Sequence, residues 1–235
     1  MPFEQPKFET VQPQENINKG TESVKSGKEI SWENQQKEIE RSADSLGYKI
    51  DDHIKETVVA FNVVGLPTSA SCEGHIDHGI SAPWIEVSAP NQPEERFIGE
   101  REIFQRVASK YRISFEDVKR GVNHNAWAEA LRESSQSDET PEYKRWRNET
   151  KKLMDKSSEL IEKFYQGKDV ASNIKLEISE SGEGEFRVQN GGEDYKPVPE
   201  KLTDEQKGKL AQRLMQYQEE MKKFTAFLKD RYFSE

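Results

Sequence analysis

Apolar residues recur at helical spacing early in the chain, and the first helix is predicted to begin at Ser31. Its apolar positions are Trp32, Ile39, Ala43 and Leu46, with Gly47 as a stop signal. A second helix is predicted to begin after Asp51 or Asp52, with Ile54, Val58 and Phe61 on one face. It should end at Gly65, because Pro67 lacks an amide proton and disfavours helix in the residue before it.

Alternating apolar and polar residues predict four short strands. Two of them, Thr68–Cys72 and Trp84–Val87, flank a turn-rich loop that contains Gly74 and Gly79. The other two lie at 174–178 and 185–188, on either side of a glycine-rich turn, and this is the clearest β-hairpin signal in the chain.

Further helices are predicted between these strands and after them. One includes Ile103 to Tyr111, and another begins at the N-cap Ser114. This pair fits an ordinary helical hairpin better than a DNA-binding helix-turn-helix, because the chain is acidic. A polar linker at 134–140 precedes a helix that is capped by Thr140 and begins at Pro141.

The C-terminal helix begins with a capping box, Thr203 and Gln206, and then carries a heptad seam of apolar residues. We predict that the seam packs against the 141–166 helix as an antiparallel pair. The alternative is a homodimer or a contact with a partner helix. The seam consists of Leu210, Leu214, Tyr217, Met221, Phe224 and Leu228.

Together these elements predict an α+β fold with a small, mostly antiparallel sheet, flanking helices and a long heptad-patterned C-terminal helix. Residues 1–30 are rich in Pro, Gln, Glu and Lys without an apolar period, so they are predicted to form a disordered tail. Residues 31–235 are expected to form the α+β domain, with a possible internal boundary in the linker 134–140.

The composition limits the classes of molecule that the protein is expected to bind. Charged residues make up 34% of the chain and hydrophobic residues 32%, and the net charge is -9. An acidic surface argues against general binding to nucleic acid or to anionic membranes. The sequence also lacks an apolar run long enough to cross a bilayer and a signal-peptide pattern, which predicts a cytoplasmic protein.

The candidate chemistry is concentrated between the first two strands. Cys72, His75 and His78 are spaced three residues apart, and a turning loop can bring their side chains around one ion. Zinc accepts this ligand mixture, and three protein ligands with one open position are typical of catalytic zinc. The weaker candidates Glu73 and Asp77 are possible acid/base groups or extra ligands. The leading hypothesis is therefore a metal-dependent enzyme of the hydrolase type.

Other interpretations use the same residues. Cys72, the only cysteine, can serve as a nucleophile with a neighbouring histidine as its base. The loop can also be a structural metal clip in a non-enzymatic interaction protein, or carry no site at all. His53 and His124 are the remaining histidines, and either one can complete a metal site if the fold brings it close.

The segment from Asn62 to His75 reads NVVGLPTSASCEGH. It resembles a motif of uncharacterised bacterial and phage proteins, Gly-x-x-Thr-x-x-Ser-Cys-x-Gly-His, for which no reaction is assigned. It also resembles the Ser-Cys-x-Gly-Arg segment of the tRNA wybutosine-synthesising methyltransferase family, where His75 takes the place of the arginine. The resemblance covers about 40 residues and implies a site that includes Cys72, Gly74 and His75.

Overall fold

The computed structural model describes residues 25–42, 49–182, 184–199 and 201–235. Most of the predicted tail, residues 1–24, lies outside the described residues, as do Ala43, Leu46 and Gly47 of the first predicted helix. That helix begins at Gly27, four residues before the predicted Ser31. The earlier start is explained by a capping box in which Ser26 and Glu29 satisfy each other's backbone amides.

The described residues form seven helices and one four-stranded sheet, which confirms the predicted α+β class. The helices are α1 Gly27–Arg41, α2 Lys55–Val63, α3 Glu100–Tyr111, α4 Phe115–Lys119, α5 His124–Ser134, α6 Pro141–Tyr165 and α7 Asp204–Ser234. The strands are β1 Thr68–Cys72, β2 Trp84–Val87, β3 Leu176–Glu180 and β4 Phe186–Asn190.

The sheet is antiparallel throughout, with the strand order β1-β2-β4-β3. One row across it joins Ser71, Ile85, Val188 and Ile178. Ile85 and Val188 have no exposed surface and belong to the main core. Because side chains alternate between the two faces, Cys72 and its partner Trp84 point to the opposite face.

The seam of α7 is buried within one chain, and its main neighbour is α2. The rings of Phe224 and Phe61 lie 5.9 Å apart, and the hydroxyls of Thr225 and Thr57 are 2.8 Å apart. The predicted antiparallel pair with α6 is wrong for most of the seam, since α7 packs more extensively against α2 than against α6. The contact with α6 includes Phe164, whose ring is 5.2 Å from Phe224.

The seam has no free surface for a second chain. Its six residues are each 8% exposed or less, because α2, the sheet and nearby loops cover them. The apolar periodicity therefore contributes to the core of the chain itself, and the homodimer or partner-helix contact through these positions stays a prediction. These residues are Leu210, Leu214, Tyr217, Met221, Phe224 and Leu228.

Helices α3, α4 and α5 form a unit with a small core of their own. The sequence predicted a helix from Ser114 but did not separate α4 from α5, whose N-cap is Asn123. The segment that leads into this unit and the segment that leads out of it lie next to each other. Ile98 N donates to Asp138 O at 3.0 Å, and Thr140 N donates to Arg96 O at 2.8 Å. The linker 134–140 is thus fixed by backbone hydrogen bonds to residues 96–98.

The segment that follows β4 is tied to α7 by one carboxylate. Asp194 accepts hydrogen bonds from Arg213 Nε at 2.7 Å and Nη2 at 2.9 Å, and from the Tyr217 hydroxyl at 3.0 Å. The guanidinium of Arg213 lowers the pKa of Asp194, as does the Tyr217 hydroxyl. The same segment donates from Val198 N to Gly79 O at 2.8 Å, so it supports the loop after β1.

We expect Asp194→Asn to reduce the free energy of unfolding by about 1 kcal/mol near neutral pH. Because the folded-state pKa of Asp194 is lowered, its contribution is present above the unfolded pKa of about 4 and is lost as the pH falls through the folded value. Urea unfolding at several pH values measures this. A difference between the two proteins that persists unchanged in strong acid contradicts the assignment.

No helix among the described residues is both long enough and apolar enough to cross a membrane.

Candidate metal site

The structure brings together Asp51, Cys72 and His75, three residues that can hold a metal ion. Asp51 precedes α2, Cys72 is the last residue of β1, and His75 lies in the loop that follows. One potential ligand atom from each residue lies within 4.8 Å of the other two. The group is partly buried, with 33% of the Asp51 side chain and 21% of the His75 side chain exposed.

The separation of these atoms suits a small tetrahedral ion. His75 Nε2 is 3.5 Å from Asp51 Oδ2. Two ligand atoms bound to tetrahedral zinc at 2.0–2.1 Å are about 3.3 Å apart, so these two atoms need only a small shift. A carboxylate oxygen, a thiolate sulfur and an imidazole nitrogen are all zinc ligands in proteins.

Backbone amides of the loop hold two of the three ligands in place. Gly74 N donates to Cys72 Sγ at 3.3 Å, and Glu73 N donates to Asp51 Oδ2 at 3.2 Å. Such outer hydrogen bonds orient metal ligands and tune their affinity. The loop that carries His75 therefore also positions the other two ligands.

Helix α7 packs against the loop that follows β1. Gln218 Nε2 donates to Glu73 O at 2.9 Å. Gly74 has a φ of +83°, and a Cβ there would lie 2.6 Å from Leu214 Cδ1 and 2.9 Å from the carbonyl carbon of Ala82. Glycine is required at this position both for its backbone conformation and for the close approach of α7.

We expect Gly74→Ala to destabilise the fold by more than about 2 kcal/mol, since it adds backbone strain to a steric clash. Gly208→Ala is the matched control, because Gly208 lies within α7 and a Cβ there meets nothing within 4 Å. The control should stabilise the protein by about 0.5–1 kcal/mol. Equal effects of the two substitutions in urea unfolding would contradict this role of Gly74.

The thiol of Cys72 is in its neutral form near pH 7 in the absence of metal. Burial raises its pKa above the usual range, and the carboxylates of Asp51 and Glu73 add to this effect, while the Gly74 amide opposes it. Nucleophilic cysteines need the opposite shift, because the thiolate is the reactive form. The environment of Cys72 thus argues against a free nucleophile, and a metal ion would have to displace the thiol proton in order to bind.

His78 does not belong to the group of three. Its side chain is 67% exposed, and its Nδ1 lies 2.6 Å from Asp77 Oδ1. Its ring stacks on that of His75, with the centroids 4.1 Å apart. The group of three in the structure thus contains Asp51 and not His78, and the prediction that His78 is a ligand stays a prediction.

The other candidates have separate roles. The Glu73 carboxylate accepts a hydrogen bond from His53 N at 3.0 Å, which ties the loop to the start of α2. His53 contributes this backbone amide, and its side chain is not part of the group of three. His124 begins α5, where its ring lies 5.7 Å from that of Trp127. Asp77 is 79% exposed and contacts His78.

A groove of about 1120 Å³ opens beside the site. Asp51, His75 and His78 line one part of it, and residues 67–71 line another. A molecule in this groove would therefore reach two of the three ligands.

The chain was compared with known families, curated proteins and solved structures. None of the three comparisons found a match. The motif from Gly65 to His75 therefore remains a sequence resemblance.

Proposed function

We propose that Asp51, Cys72 and His75 bind zinc and that the protein is a zinc-dependent hydrolase. The observation that carries the proposal is the convergence of three zinc-ligand types from separate positions at the edge of a large groove. Three protein ligands leave a fourth position for water, which is the pattern of catalytic zinc. Bound zinc supplies a Lewis acid and lowers the pKa of that water towards neutrality.

The neighbouring side chains suggest how protons move. His78 lines the groove, and its Nδ1 hydrogen bond to Asp77 leaves Nε2 free to exchange a proton with a bound substrate. Asp77 acts as the positioning residue for this imidazole. Glu73 is a weaker acid/base candidate, because its carboxylate already accepts the His53 amide hydrogen.

Cobalt substitution tests both the ligand set and the open position. We expect the cobalt(II) protein to show a thiolate charge-transfer band and strong visible bands of a tetrahedral site, and acetohydroxamate should shift the visible bands. Cys72→Ser should remove the charge-transfer band. A spectrum that acetohydroxamate leaves unchanged would indicate a closed, structural site and would overturn the hydrolase proposal.

Zinc affinity should rise with pH. Burial raises the pKa of the Cys72 thiol, so zinc must displace a proton from sulfur when it binds. While the thiol is protonated in the free protein, each pH unit should increase the apparent affinity about tenfold. Competition with a chelator between about pH 7 and about pH 8.5, corrected for the chelator's own protonation, measures the slope. A pH-independent affinity would contradict thiolate ligation.

A further inference from the structure

We propose that Arg187 binds a carboxylate of the substrate, and that the site acts on acylated amino acids with a free carboxyl group. This rests on the proposed function for its chemistry, but carboxylate binding can be measured separately from zinc binding. Three features of the Arg187 side chain support it: its place on the sheet, its unused hydrogen-bond donors, and its charge beside the candidate metal site.

Arg187 lies on the same face of the sheet as Cys72. The strand register pairs Cys72 with Trp84, and Glu86 with Arg187. Trp84 and Glu86 are two residues apart in β2, so all four side chains point to one face. The main hydrophobic core, as far as the structure describes it, includes Ile85 on the other face and none of these four. One face of the sheet therefore carries both the sulfur of the candidate metal site and a guanidinium group.

The guanidinium group reaches towards the candidate ligands. Its Cζ lies 4.0 Å from the centroid of the Trp84 ring, and Trp84 is the residue that pairs with Cys72. Adjacent strands are about 4.8 Å apart, so a side chain that reaches from β4 over β2 ends about one strand away from β1. Burial raises the pKa of the Cys72 thiol, and the positive charge of Arg187 is one of the influences that oppose this rise. Arg187 therefore acts electrostatically on a candidate zinc ligand.

Glu86 holds Arg187 by one nitrogen only. Arg187 Nε donates to Glu86 Oε2 at 2.9 Å, and the Ser69 hydroxyl donates to Glu86 Oε1 at 3.4 Å. Within the part of the chain that the structure describes, Nη1 and Nη2 of Arg187 have no hydrogen-bond partner, and neither is buried from solvent. The Arg187 side chain is 28% exposed. The outer edge of the guanidinium is therefore available to a ligand.

A carboxylate is the acceptor that this edge fits best. The parallel N–H groups of Nη1 and Nη2 match the two oxygens of a carboxylate, and such bidentate pairs are among the stronger hydrogen-bonded contacts in proteins. The Trp84 ring and the Glu86 carboxylate fix the orientation of the guanidinium before a ligand arrives. A side chain that is already ordered loses less entropy on binding, which favours affinity.

The charges around the site also assign this role to Arg187. With zinc bound, the Asp51 carboxylate and the Cys72 thiolate cancel the charge of the ion, so the metal centre itself has little attraction for an anion. The chain as a whole carries a net charge of -9, which repels anions. A preference for carboxylates would therefore have to come from a local group, and Arg187 is placed to provide it.

The short separation between Arg187 and the candidate ligands limits the substrate. In an acylated α-amino acid, the carboxylate carbon is only three bonds from the acyl carbonyl carbon. A carboxylate bound to Arg187 would thus leave the amide carbonyl close to Asp51, Cys72 and His75. Single acylated amino acids and the carboxyl ends of peptides share this chemistry.

The reaction would be amide hydrolysis with water as the co-reactant. A hydroxyl group from water forms a bond to the acyl carbon, and the C–N bond breaks with its electron pair going to nitrogen. The remaining water proton goes to that nitrogen, so the products are a carboxylic acid and a free amino acid. Arg187 binds and orients the substrate but transfers no proton, because a guanidinium keeps its proton in proteins.

Matched acids and amides measure the contribution of the carboxylate. The probes are N-acetylphenylalanine and N-acetyl-Ala-Ala-Phe, and each is compared with its own C-terminal amide. Binding to the full chain is followed by isothermal titration calorimetry at about 0.15 M salt, once in zinc and once in EDTA. We expect at least one of the acids to bind at least about tenfold more tightly than its amide. The zinc content of the same samples is measured separately.

Substitution of the two members of the ion pair should have opposite effects. Arg187→Gln should abolish the preference for the acid, whereas Glu86→Gln leaves the guanidinium in place and should keep the preference. A purely structural ion pair would make the two substitutions equally harmful. Arg145→Gln is the matched control, because Arg145 donates to Glu142 on α6 in a similar arginine–glutamate pair and should leave the preference unchanged.

A double variant protects the test against loss of the fold. The Glu86 side chain is only 12% exposed, so Arg187→Gln leaves a nearly buried carboxylate without its partner. Glu86→Gln combined with Arg187→Gln removes both charges together and should keep the fold, as circular dichroism can check. The double variant should lose the preference for the acid as completely as Arg187→Gln does.

A preference for the acid that Arg187→Gln and the double variant lose, and that Glu86→Gln keeps, supports the proposal. If the tripeptide acid shows it, the substrates include the carboxyl ends of peptides; if only N-acetylphenylalanine does, they are single acylated amino acids. Failure of both acids to bind, equal binding of acid and amide, or a preference that persists in Arg187→Gln overturns the role of Arg187 even if zinc binds. An Arg187-dependent preference in a protein that binds no zinc would overturn the hydrolase proposal alone.

Discussion

Cys72→Ser is expected to lower the affinity for zinc by more than about 100-fold, with similar losses in Asp51→Asn and His75→Gln. Loss of an outer hydrogen-bond partner alone typically costs 10–100-fold in metal affinity, and loss of a direct ligand should cost more. Each of the three residues contributes one potential ligand atom to the group, so the loss of any one of them should weaken zinc binding. Competition with a chromophoric chelator measures the affinity of each variant.

His78→Gln is the matched control for this series. His78 lies three residues after His75 and stacks on it, but it is not among the three grouped residues. The control should retain zinc affinity within about threefold, while hydrolysis should fall, because proton transfer typically contributes a factor of about 10²–10⁴. If His78→Gln loses as much affinity as His75→Gln, His78 is a ligand, as the sequence predicted, and Asp51 does not replace it.

Phe224→Ala is expected to reduce the free energy of unfolding by about 3–5 kcal/mol. The Phe224 side chain is 1% exposed and its ring contacts those of Phe61, Phe164 and Phe227. Its loss would leave a cavity where α2, α6 and α7 meet. Urea unfolding followed by circular dichroism measures the change.

Met215→Ala is the control on the same helix. Met215 is 69% exposed, so its truncation should change stability by less than about 0.5 kcal/mol. Because the seam is buried within one chain, the unfolding midpoint of the unmodified protein should not depend on protein concentration. A midpoint that rises with concentration would support the predicted dimer.

Local signals in the sequence predicted most elements of the fold. The bounds of β1 and β2 agree with their alternation, and Thr203 and Thr140 cap α7 and α6 as their side chains suggest. These features depend on neighbours in the sequence. The partner of α7 could not be predicted in this way, because a heptad seam shows that one face is apolar but not which element covers it.

The sequence predicted two of the three grouped residues, because those two are neighbours in the sequence, and missed the third, which is distant. Cys72 and His75 are close in sequence, and the turn at Gly74 brings their side chains together. Asp51 lies 21 residues before Cys72, and in the sequence it appeared only as an acidic residue near the start of a helix. Neither Asp51 nor Asp52 caps α2, whose N-cap is Ile54 without a side-chain hydrogen bond, so the start of the helix does not reveal the position of Asp51 beside Cys72. Its contact with the loop depends on how α2 packs against β1.

The proposed metal site at Asp51, Cys72 and His75 is tested most directly by elemental analysis. The protein is purified without a metal-affinity tag and analysed before and after reconstitution with zinc. We predict about one equivalent of zinc per chain after reconstitution, and less than about a tenth in Cys72→Ser. Less than about a tenth of an equivalent in the unmodified protein, unchanged by added zinc, would contradict the site.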